Sequence, residues 1–222
     1  MSNVTEYLFA LGAGIIARQR EYTPGGEGYE MADSGAVECE VGEFLYGLAR
    51  VLKPERVLTT GVYTGLSDLY LAQAIKDNGR GHIWAVEYEA QHVARAKRLW
   101  QRCGVEEHIT VVFMDSRFFV PSGEYQLMFL DTEPDLRFGE MERFYPHLAP
   151  GGFVGIHDLP RSFCQNRVVD GQEGWPFGPF PERLARLVRA GELSPFHLPN
   201  PRGCVFFYKR HRMDYLPHAH PV

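Results

Sequence analysis

A glycine-rich turn between a β-rich run and a helical run is the first part of this sequence that suits ligand binding. Gly61 and Gly65 lie four residues apart, and Ser67 follows the second glycine. Glycines let backbone N–H and C=O groups approach a ligand closely, and the first turn of a helix attracts a carboxylate. The turn lacks the third glycine of the dinucleotide motif G-x-G-x-x-G, so an ordinary strand-to-helix connection explains it equally well when it is taken alone.

Polar residues also follow the next two β-rich runs. Glu87 ends the second run, where a carboxylate can accept both hydroxyls of a ribose, and Asp115 and Ser116 follow the third run. Ligands of open α/β sheets bind outside the carboxyl ends of the strands. Together these positions favour a nucleoside site over accidental turn chemistry, although Glu87 alone would also suit the entrance of a helix.

The elements that must position these residues alternate along the chain. Alternating strands and helices predict an α/β fold, a doubly wound and mostly parallel sheet covered by helices. The predicted strands are 56–60, 82–87, 109–113, 126–131 and 153–158. The predicted helices between them are 66–76, 89–103 and 137–148, and an amphipathic helix at 36–52 precedes the sheet.

The last part of the chain predicts a different kind of pairing. A helix at 181–190 is followed by two β-rich runs, 193–198 and 203–209, with only four residues between them. A connection this short requires an antiparallel hairpin, which completes a seven-stranded, Rossmann-like sheet. The Gly, Pro and aromatic residues of 171–181, including Trp175, Phe177 and Phe180, predict a flap over a site.

Composition limits the class of protein. A chain of 222 residues with 45% hydrophobic residues suits a single globular domain, 1–222, with a helical amino-terminal segment (1–52), a core (53–209) and a tail (210–222). A net charge of -5 argues against a nucleic-acid partner, because neutralising phosphates needs a basic surface. The four cysteines form no C-x-x-C pair, and the apolar stretch near the start is too short to span a bilayer. We expect a cytoplasmic protein with no membrane partner and a small-molecule ligand, and we leave open whether it forms a homo-oligomer.

The order of these motifs resembles the class I S-adenosylmethionine-dependent methyltransferases, and most closely the small O-methyltransferases, over about 37–209. The matching pieces are VLTTGVYTGLS at 57–67, AVE at 85–87, FLD at 129–131, and LAPGG at 148–152 leading to HD at 157–158. The resemblance implies an S-adenosylmethionine cofactor. This sequence departs from the family pattern at Thr59, where relatives usually have Glu or Asp. The departure implies the loss of a supporting polar contact to the cofactor.

The resemblance also implies a role for each matching position on the cofactor. Gly61 and Gly65 would line its methionine part, and Ser67 would bond its carboxylate. Tyr63 would flank the reacting sulfonium, and Glu87 would bind the ribose. The adenine would lie against the two residues that follow the third strand, Asp115 and Ser116.

At the catalytic end the chain is most similar to the metal-dependent branch that methylates sugars on natural products. That branch implies Asp131, His157 and Asp158 as ligands of a divalent ion (Mg, Mn or Fe) and Glu133 as the general base, with Asp131 also catalytic. Two adjacent acids of the branch are replaced here by His157 and Asp158, so a satisfied strand-end histidine and a turn-capping aspartate are an equally good interpretation. The catechol-type lysine position is Pro134, which does not support a catechol mechanism.

The sequence therefore predicts O-methylation of a small hydroxylated acceptor. Two alternatives stay open: a nitrogen or protein-side-chain methyltransferase that needs no metal, and a catalytically inactive module that binds S-adenosylmethionine.

Overall fold

The computed structural model describes residues 4–16, 18–22, 26, 28–31, 35–159 and 180–211. Most of the predicted flap, residues 171–179 with Trp175 and Phe177, lies outside the described residues, as does the tail from residue 212 onward. The helices are α1 (Val4–Leu11), α2 (Cys39–Leu52), α3 (Leu66–Asn78), α4 (Ala90–Cys103), α5 (Pro134–Phe144) and α6 (Glu182–Arg189). The strands are β1 (Gln19–Tyr22), β2 (Gly28–Met31), β3 (Arg56–Thr60), β4 (His82–Glu87), β5 (Ile109–Phe113), β6 (Tyr125–Leu130), β7 (Leu148–His157), β8 (Leu193–Leu198) and β9 (Cys204–Lys209).

The main sheet confirms the predicted α/β fold. Its seven strands have the order β5-β4-β3-β6-β7-β9-β8. Strands β3 to β7 pair in parallel, and β9 pairs antiparallel with both β7 and β8. The strand order reverses between β3 and β6, and the carboxyl ends of those two strands diverge into helices on opposite faces, which leaves room for a ligand.

Helices cover both faces of this sheet because the parallel strands are apolar on both sides. Leu45 of α2, Tyr70 of α3 and Trp100 of α4 are fully buried in the core on one face. Phe138 of α5 and Leu184 of α6 pack in the core on the other. Each such large side chain contributes roughly 1.5–3 kcal/mol by leaving water, so the two cores hold the strand ends in a fixed arrangement.

Three predictions about elements differ from the structure. Helix α5 begins at Pro134, three residues before the predicted start, because proline suits the first turn of a helix. Strand β7 begins at Leu148, which pairs with Tyr125 across a register shift. The amino-terminal segment, predicted as helical, also contains the β1–β2 hairpin, whose two strands have only four residues each and whose only buried residue is Met31. None of the helices in the described ranges is long and apolar enough to cross a membrane.

Phe180, the last aromatic residue of the predicted flap, belongs to the core. Its ring stacks on Phe207 at 5.7 Å and meets Phe138 edge-on at 5.2 Å. The side chain is 4% exposed. The flap prediction is therefore wrong for Phe180, because the apolar face of the sheet offers this ring a buried partner.

Candidate functional site

The glycine turn after β3 is fixed by contacts that leave no room for side chains. Gly61 has a φ of +76°, and a Cβ there would lie 2.1 Å from the backbone oxygen of Asp131. Gly65 has a φ of +79°, and a Cβ there would lie 2.7 Å from the indole Nε1 of Trp100. That Nε1 donates a hydrogen bond of 2.8 Å to the Gly65 carbonyl. The turn is therefore clamped between β6 and α4.

Glu87, at the end of β4, is locked into this turn by backbone donors. Its Oε2 accepts a hydrogen bond from the Tyr63 N–H at 3.1 Å. Its Oε1 accepts from the N–H groups of Tyr88 and Glu89 at 2.8 and 2.9 Å. A carboxylate has lone pairs for about four hydrogen bonds, so a fixed acceptor remains for a ligand hydroxyl.

The residues after β5 form a short 3-10 turn. Asp115 accepts a hydrogen bond from the Arg117 N–H at 2.9 Å, and the Arg117 guanidinium lies 2.6 Å from its Oδ2. These hydrogen bonds lower the pKa of the Asp115 carboxyl. Ser116 is buried beside it. A polar edge is thus available next to the predicted ribose position.

A single cavity of about 640 Å³ joins these strand ends to the predicted catalytic residues. Its volume is typical of sites for small ligands. Its wall includes most of the predicted site residues: Gly61, Tyr63, Glu87, Asp115, Ser116, Asp131, Glu133 and Asp158. The other three, Gly65, Ser67 and His157, do not line it; Gly65 is the N-cap of α3, and Ser67 is buried in its first turn.

Asp131, His157 and Asp158 converge as the sequence predicts. One ligand atom from each lies within 4.8 Å of the others, because β6 and β7 are neighbours. Asp158 has a φ of +57°, so the chain turns sharply where β7 ends. The side chain of His157 is fully buried, and Asp131 and Asp158 remain partly exposed.

Both ring nitrogens of His157 face carboxylates. Nε2 lies 2.7 Å from Glu38 Oε2, and Nδ1 lies 3.1 Å from Asp131 Oδ1. Burial alone lowers the pKa of His157, but Asp131, Asp158 and the hydrogen bonds raise it overall. Burial alone raises the pKa of Glu38, but the hydrogen bond to His157 lowers it overall. Both ring nitrogens are therefore positioned to donate to carboxylates, which favours the protonated imidazole.

Two guanidinium groups complete the arrangement. Arg137 Nη2 lies 3.1 Å from Asp131 Oδ1 and 3.5 Å from Asp158 Oδ2. Arg202 Nε lies 2.6 Å from Asp158 Oδ1, and its Nη2 donates to Oδ2 at 2.8 Å. We call these six side chains the acid–cation cluster: Glu38, Asp131, Asp158, Arg137, His157 and Arg202.

The acid–cation cluster does not fit a divalent ion as it stands. A histidine ligand needs a lone pair on a neutral ring, and both nitrogens of His157 are committed as donors. Asp131 Oδ1 and both carboxylate oxygens of Asp158 are already paired with guanidinium groups. The three predicted metal ligands therefore lie together as expected, but the guanidinium groups of Arg137 and Arg202 already pair with their carboxylates.

Glu133, the predicted base, lies at the entrance of α5 and is exposed on the cavity wall. Its Oε1 accepts a hydrogen bond from the Tyr88 hydroxyl at 3.4 Å. The negative charge of Glu133 raises the pKa of the Tyr88 hydroxyl. The carboxylate therefore keeps access to both water and a ligand.

The structure adds residues that the sequence interpretation missed. Asp68, in the first turn of α3, is fully buried, and its Oδ1 accepts a hydrogen bond from the Thr59 hydroxyl at 2.7 Å. An acid thus reaches the position beside Thr59 from the helix, although the strand lacks one. Glu38 and Arg202 reach the cluster from opposite ends of the chain, and no local spacing marks them.

Comparisons with known proteins agree with this geometry. Residues 58–159 match a family model described as a methyltransferase domain. The chain is 31% identical to a catechol O-methyltransferase of Mycobacterium tuberculosis over 103 residues, 45% of this chain and 46% of that protein. It is 26% identical to a caffeoyl-CoA O-methyltransferase of Stellaria longipes over 121 residues, 51% of this chain and 49% of that protein. The chain matches only about half the length of these curated relatives.

Solved structures extend the likeness of fold. A methyltransferase of Podospora anserina bound to S-adenosylhomocysteine (SAH) superposes with a TM-score of 0.63 at 16% identity, covering 95% of this chain and 89% of that one. An O-methyltransferase of Bacillus cereus in complex with SAH gives a TM-score of 0.65 at 17% identity, covering 80% and 84%. The chain is therefore similar in sequence to a methyltransferase domain over residues 58–159, and its fold is that of solved methyltransferases.

Proposed function

We propose that this chain, which is similar in sequence to small O-methyltransferases and shares the methyltransferase fold, transfers a methyl group from S-adenosylmethionine to a hydroxyl oxygen of a small acceptor. One observation carries the proposal: the residues suited to the cofactor and those suited to proton removal share one cavity. Gly61, Glu87 and Asp115 are on the same wall as Asp131 and Glu133. A single cavity can hold a donor and an acceptor in contact, as a direct transfer requires.

The cofactor has a defined place in this proposal. Glu87, held by three backbone N–H groups, accepts a ribose hydroxyl, and the adenine lies against Asp115 and Ser116. The methionine part lies along the Gly61 turn, with Tyr63 beside the sulfonium. The relatives crystallised with SAH support this choice of cofactor.

The reaction itself needs alignment more than covalent help from the protein. The acceptor oxygen attacks the methyl carbon, the carbon–sulfur bond breaks, and the neutral thioether SAH leaves. Holding the reactants in line contributes about 7–11 kcal/mol toward the barrier. The hydroxyl proton passes to a carboxylate on the cavity wall, and Glu133 is the exposed candidate.

Metal assistance, which the family resemblance implies, is not part of this proposal. The grouping of Asp131, His157 and Asp158 supports a metal site. The carboxylates against both ring nitrogens of His157 and the two guanidinium groups oppose it. Glu133 is therefore the proposed base, and Asp131 and Asp158 shape the floor of the cavity.

Calorimetry with SAH tests the cofactor site. Glu87→Gln should weaken binding on the order of 10- to 100-fold, because a hydrogen bond to a charged group is worth roughly 1.5–3 kcal/mol. The matched control is Glu107→Gln, whose carboxylate side chain is 80% exposed, far from the cavity. If Glu87→Gln binds SAH as tightly as the parent, the ribose assignment is wrong.

Methyl transfer is tested with isotopically labelled S-adenosylmethionine and a panel of phenols and sugars. We expect label in at least one hydroxylated acceptor and a slower rate in Glu133→Gln by about 10²-fold or more, the usual loss when a general base is removed. SAH binding without transfer to any acceptor would favour the inactive binding module.

A further inference from the structure

In the acid–cation cluster, three carboxylates lie against two arginines and one histidine. Glu38, Asp131 and Asp158 supply three carboxylates. Arg137 and Arg202 supply two guanidinium cations, and these groups and the His157 ring each lie within 3.1 Å of at least one of those carboxylates. Like charges this close require intervening cations, and in this cluster the protein's own side chains provide them.

We propose that Arg137 and Arg202 take the place of a divalent ion, so that this chain binds no catalytic metal and keeps Asp131 and Asp158 in position by guanidinium pairing. Arg137 and Arg202 are thus positioning residues. The inference rests on the proposed function only where it concerns the methyl-transfer rate.

The fold explains why both arginines reach this point. Arg137 lies in α5, which begins directly after β6, so its guanidinium returns to Asp131 at the end of that strand. His157 of β7 pairs with Cys204 of β9, so the turn that precedes Cys204 lies next to Asp158. Arg202 is in that turn.

The arginine donors leave little capacity for a metal ligand. Arg137 Nε donates to the Thr132 carbonyl at 2.7 Å, Nη1 donates to the His157 carbonyl, and both Nη atoms contact Asp158 Oδ2. Arg202 Nη1 also donates to the Ala36 carbonyl at 2.6 Å. A divalent ion at the centre would meet two fixed cations whose side chains are only 4% and 20% exposed, and the site would become strongly positive.

The first test is a titration of the purified protein with Mn²⁺, followed by electron paramagnetic resonance of the free ion. We expect the free-ion signal of buffer alone, with and without saturating SAH. One stoichiometric Mn²⁺ site in the parent protein would overturn the proposal, whatever the protein's activity.

The second test removes the two cations. The double variant Arg137→Met, Arg202→Met leaves Asp131 and Asp158 without their guanidinium partners, so we expect one stoichiometric Mn²⁺ site where the parent shows none. The matched control is Arg143→Met, Arg210→Met, which removes two exposed arginines outside the cluster and should gain no site. A folded double variant that still binds no Mn²⁺ would overturn the role assigned to the arginines.

Folding of each variant is checked by circular dichroism. If the double variant does not fold, the single variant Arg202→Met replaces it in the same titration, with Arg210→Met as its control. The same gain of Mn²⁺ binding is expected, and its absence in a folded protein would overturn the role of Arg202.

A third measurement separates this inference from the proposed function. If a methyl acceptor is found, exhaustive chelation should change the initial rate by less than about twofold, and a greater loss that Mn²⁺ restores would overturn the proposal. If no acceptor is found, the proposed function fails while the Mn²⁺ titrations still decide the metal question.

Discussion

Asp68 illustrates how burial changes the chemistry of a single residue. Its side chain is fully buried, Oδ1 accepts from Thr59, and Oδ2 has no hydrogen-bond partner in the described part of the chain. Burial raises the pKa of Asp68 to about 7, although the Thr59 hydrogen bond opposes the rise. The carboxyl is therefore neutral in mildly acidic solution and charged above neutrality.

Asp68→Asn should change how stability depends on pH. A carboxyl whose pKa is higher in the folded state than its ordinary 3.8 binds protons more tightly when folded, so its contribution to stability falls as pH rises from about 4 to 7. A difference of one unit in pKa is worth about 1.4 kcal/mol, so the contribution of Asp68 to the free energy of unfolding falls by up to about 4 kcal/mol over this pH range. Urea unfolding of parent and variant at several pH values measures it.

The neutral asparagine has no such dependence, so the parent should lose stability relative to Asp68→Asn over this range. Asp77→Asn is the control, because Asp77 is partly exposed at the other end of the same helix. A constant difference between parent and Asp68→Asn from pH 4 to 8 would contradict the buried-acid interpretation.

Residues at strand ends were predictable, and their long-range partners were not. Asp131 and His157 follow directly from the alternation of strands and helices, because parallel neighbours end at one edge. Glu38 is 119 residues from His157, and Arg202 is 164 residues from Glu38. Their meeting depends on how the hairpin and α2 pack, which no local pattern encodes.

At the scale of elements, the β3–β6 contact decides the shape of the turn. The N–H of Asp131, directly after β6, donates to the Thr60 carbonyl at 3.0 Å. Gly61 packs against the carbonyl oxygen of the same Asp131. The antiparallel pairing of β8 and β9 was predicted from their short connection. The start of α5 and the β1–β2 hairpin were not, because a proline at a helix entrance and two strands of only four residues carry little periodic signal.

Gly61→Ala should destabilise the protein more than Gly79→Ala. Both glycines have positive φ, which costs another residue type about 1–2 kcal/mol. Only at Gly61 would the new Cβ also lie 2.1 Å from a backbone oxygen, so a further loss of about 1–3 kcal/mol is expected. Gly79 has nothing within 4 Å of its Cβ position and isolates the backbone effect.

Urea unfolding measures both glycine variants, and SAH calorimetry shows whether the turn has moved. Equal losses of stability in the two variants would mean that the close approach of Gly61 to β6 is relaxed at little cost.

At the scale of the whole molecule, the acid–cation cluster joins three distant parts of the chain. Glu38 is the N-cap residue of α2, which precedes the sheet, and His157 is the last residue of β7. Asn200 and Arg202 are in the turn between β8 and β9. Asn200 Nδ2 and the Arg202 N–H donate to Glu38 Oε1 at 2.8 and 3.1 Å. A buried ion pair of this kind gives little net stability, yet breaking it by removing one partner is costly.

Glu38→Gln tests whether the cluster holds the molecule together. Removing one partner of a buried ion pair costs roughly 3–5 kcal/mol, so urea unfolding near pH 5.5 should show a loss of this size. Glu40→Gln, an exposed residue of the same helix, is the control and should change stability by less than about 0.5 kcal/mol.

The pH dependence of that loss has a definite sign. The lowered pKa of Glu38 stabilises the fold above the ordinary value of 4.5, and this contribution disappears as pH falls below it. The raised pKa of His157 stabilises the fold fully below its ordinary value of 6.5, and this contribution fades as pH rises toward the folded value. The difference between parent and Glu38→Gln should therefore be largest between these two values and smaller on either side. A loss that stays constant from about pH 4 to 9 would mean that Glu38 and His157 do not form a charged pair in the folded protein.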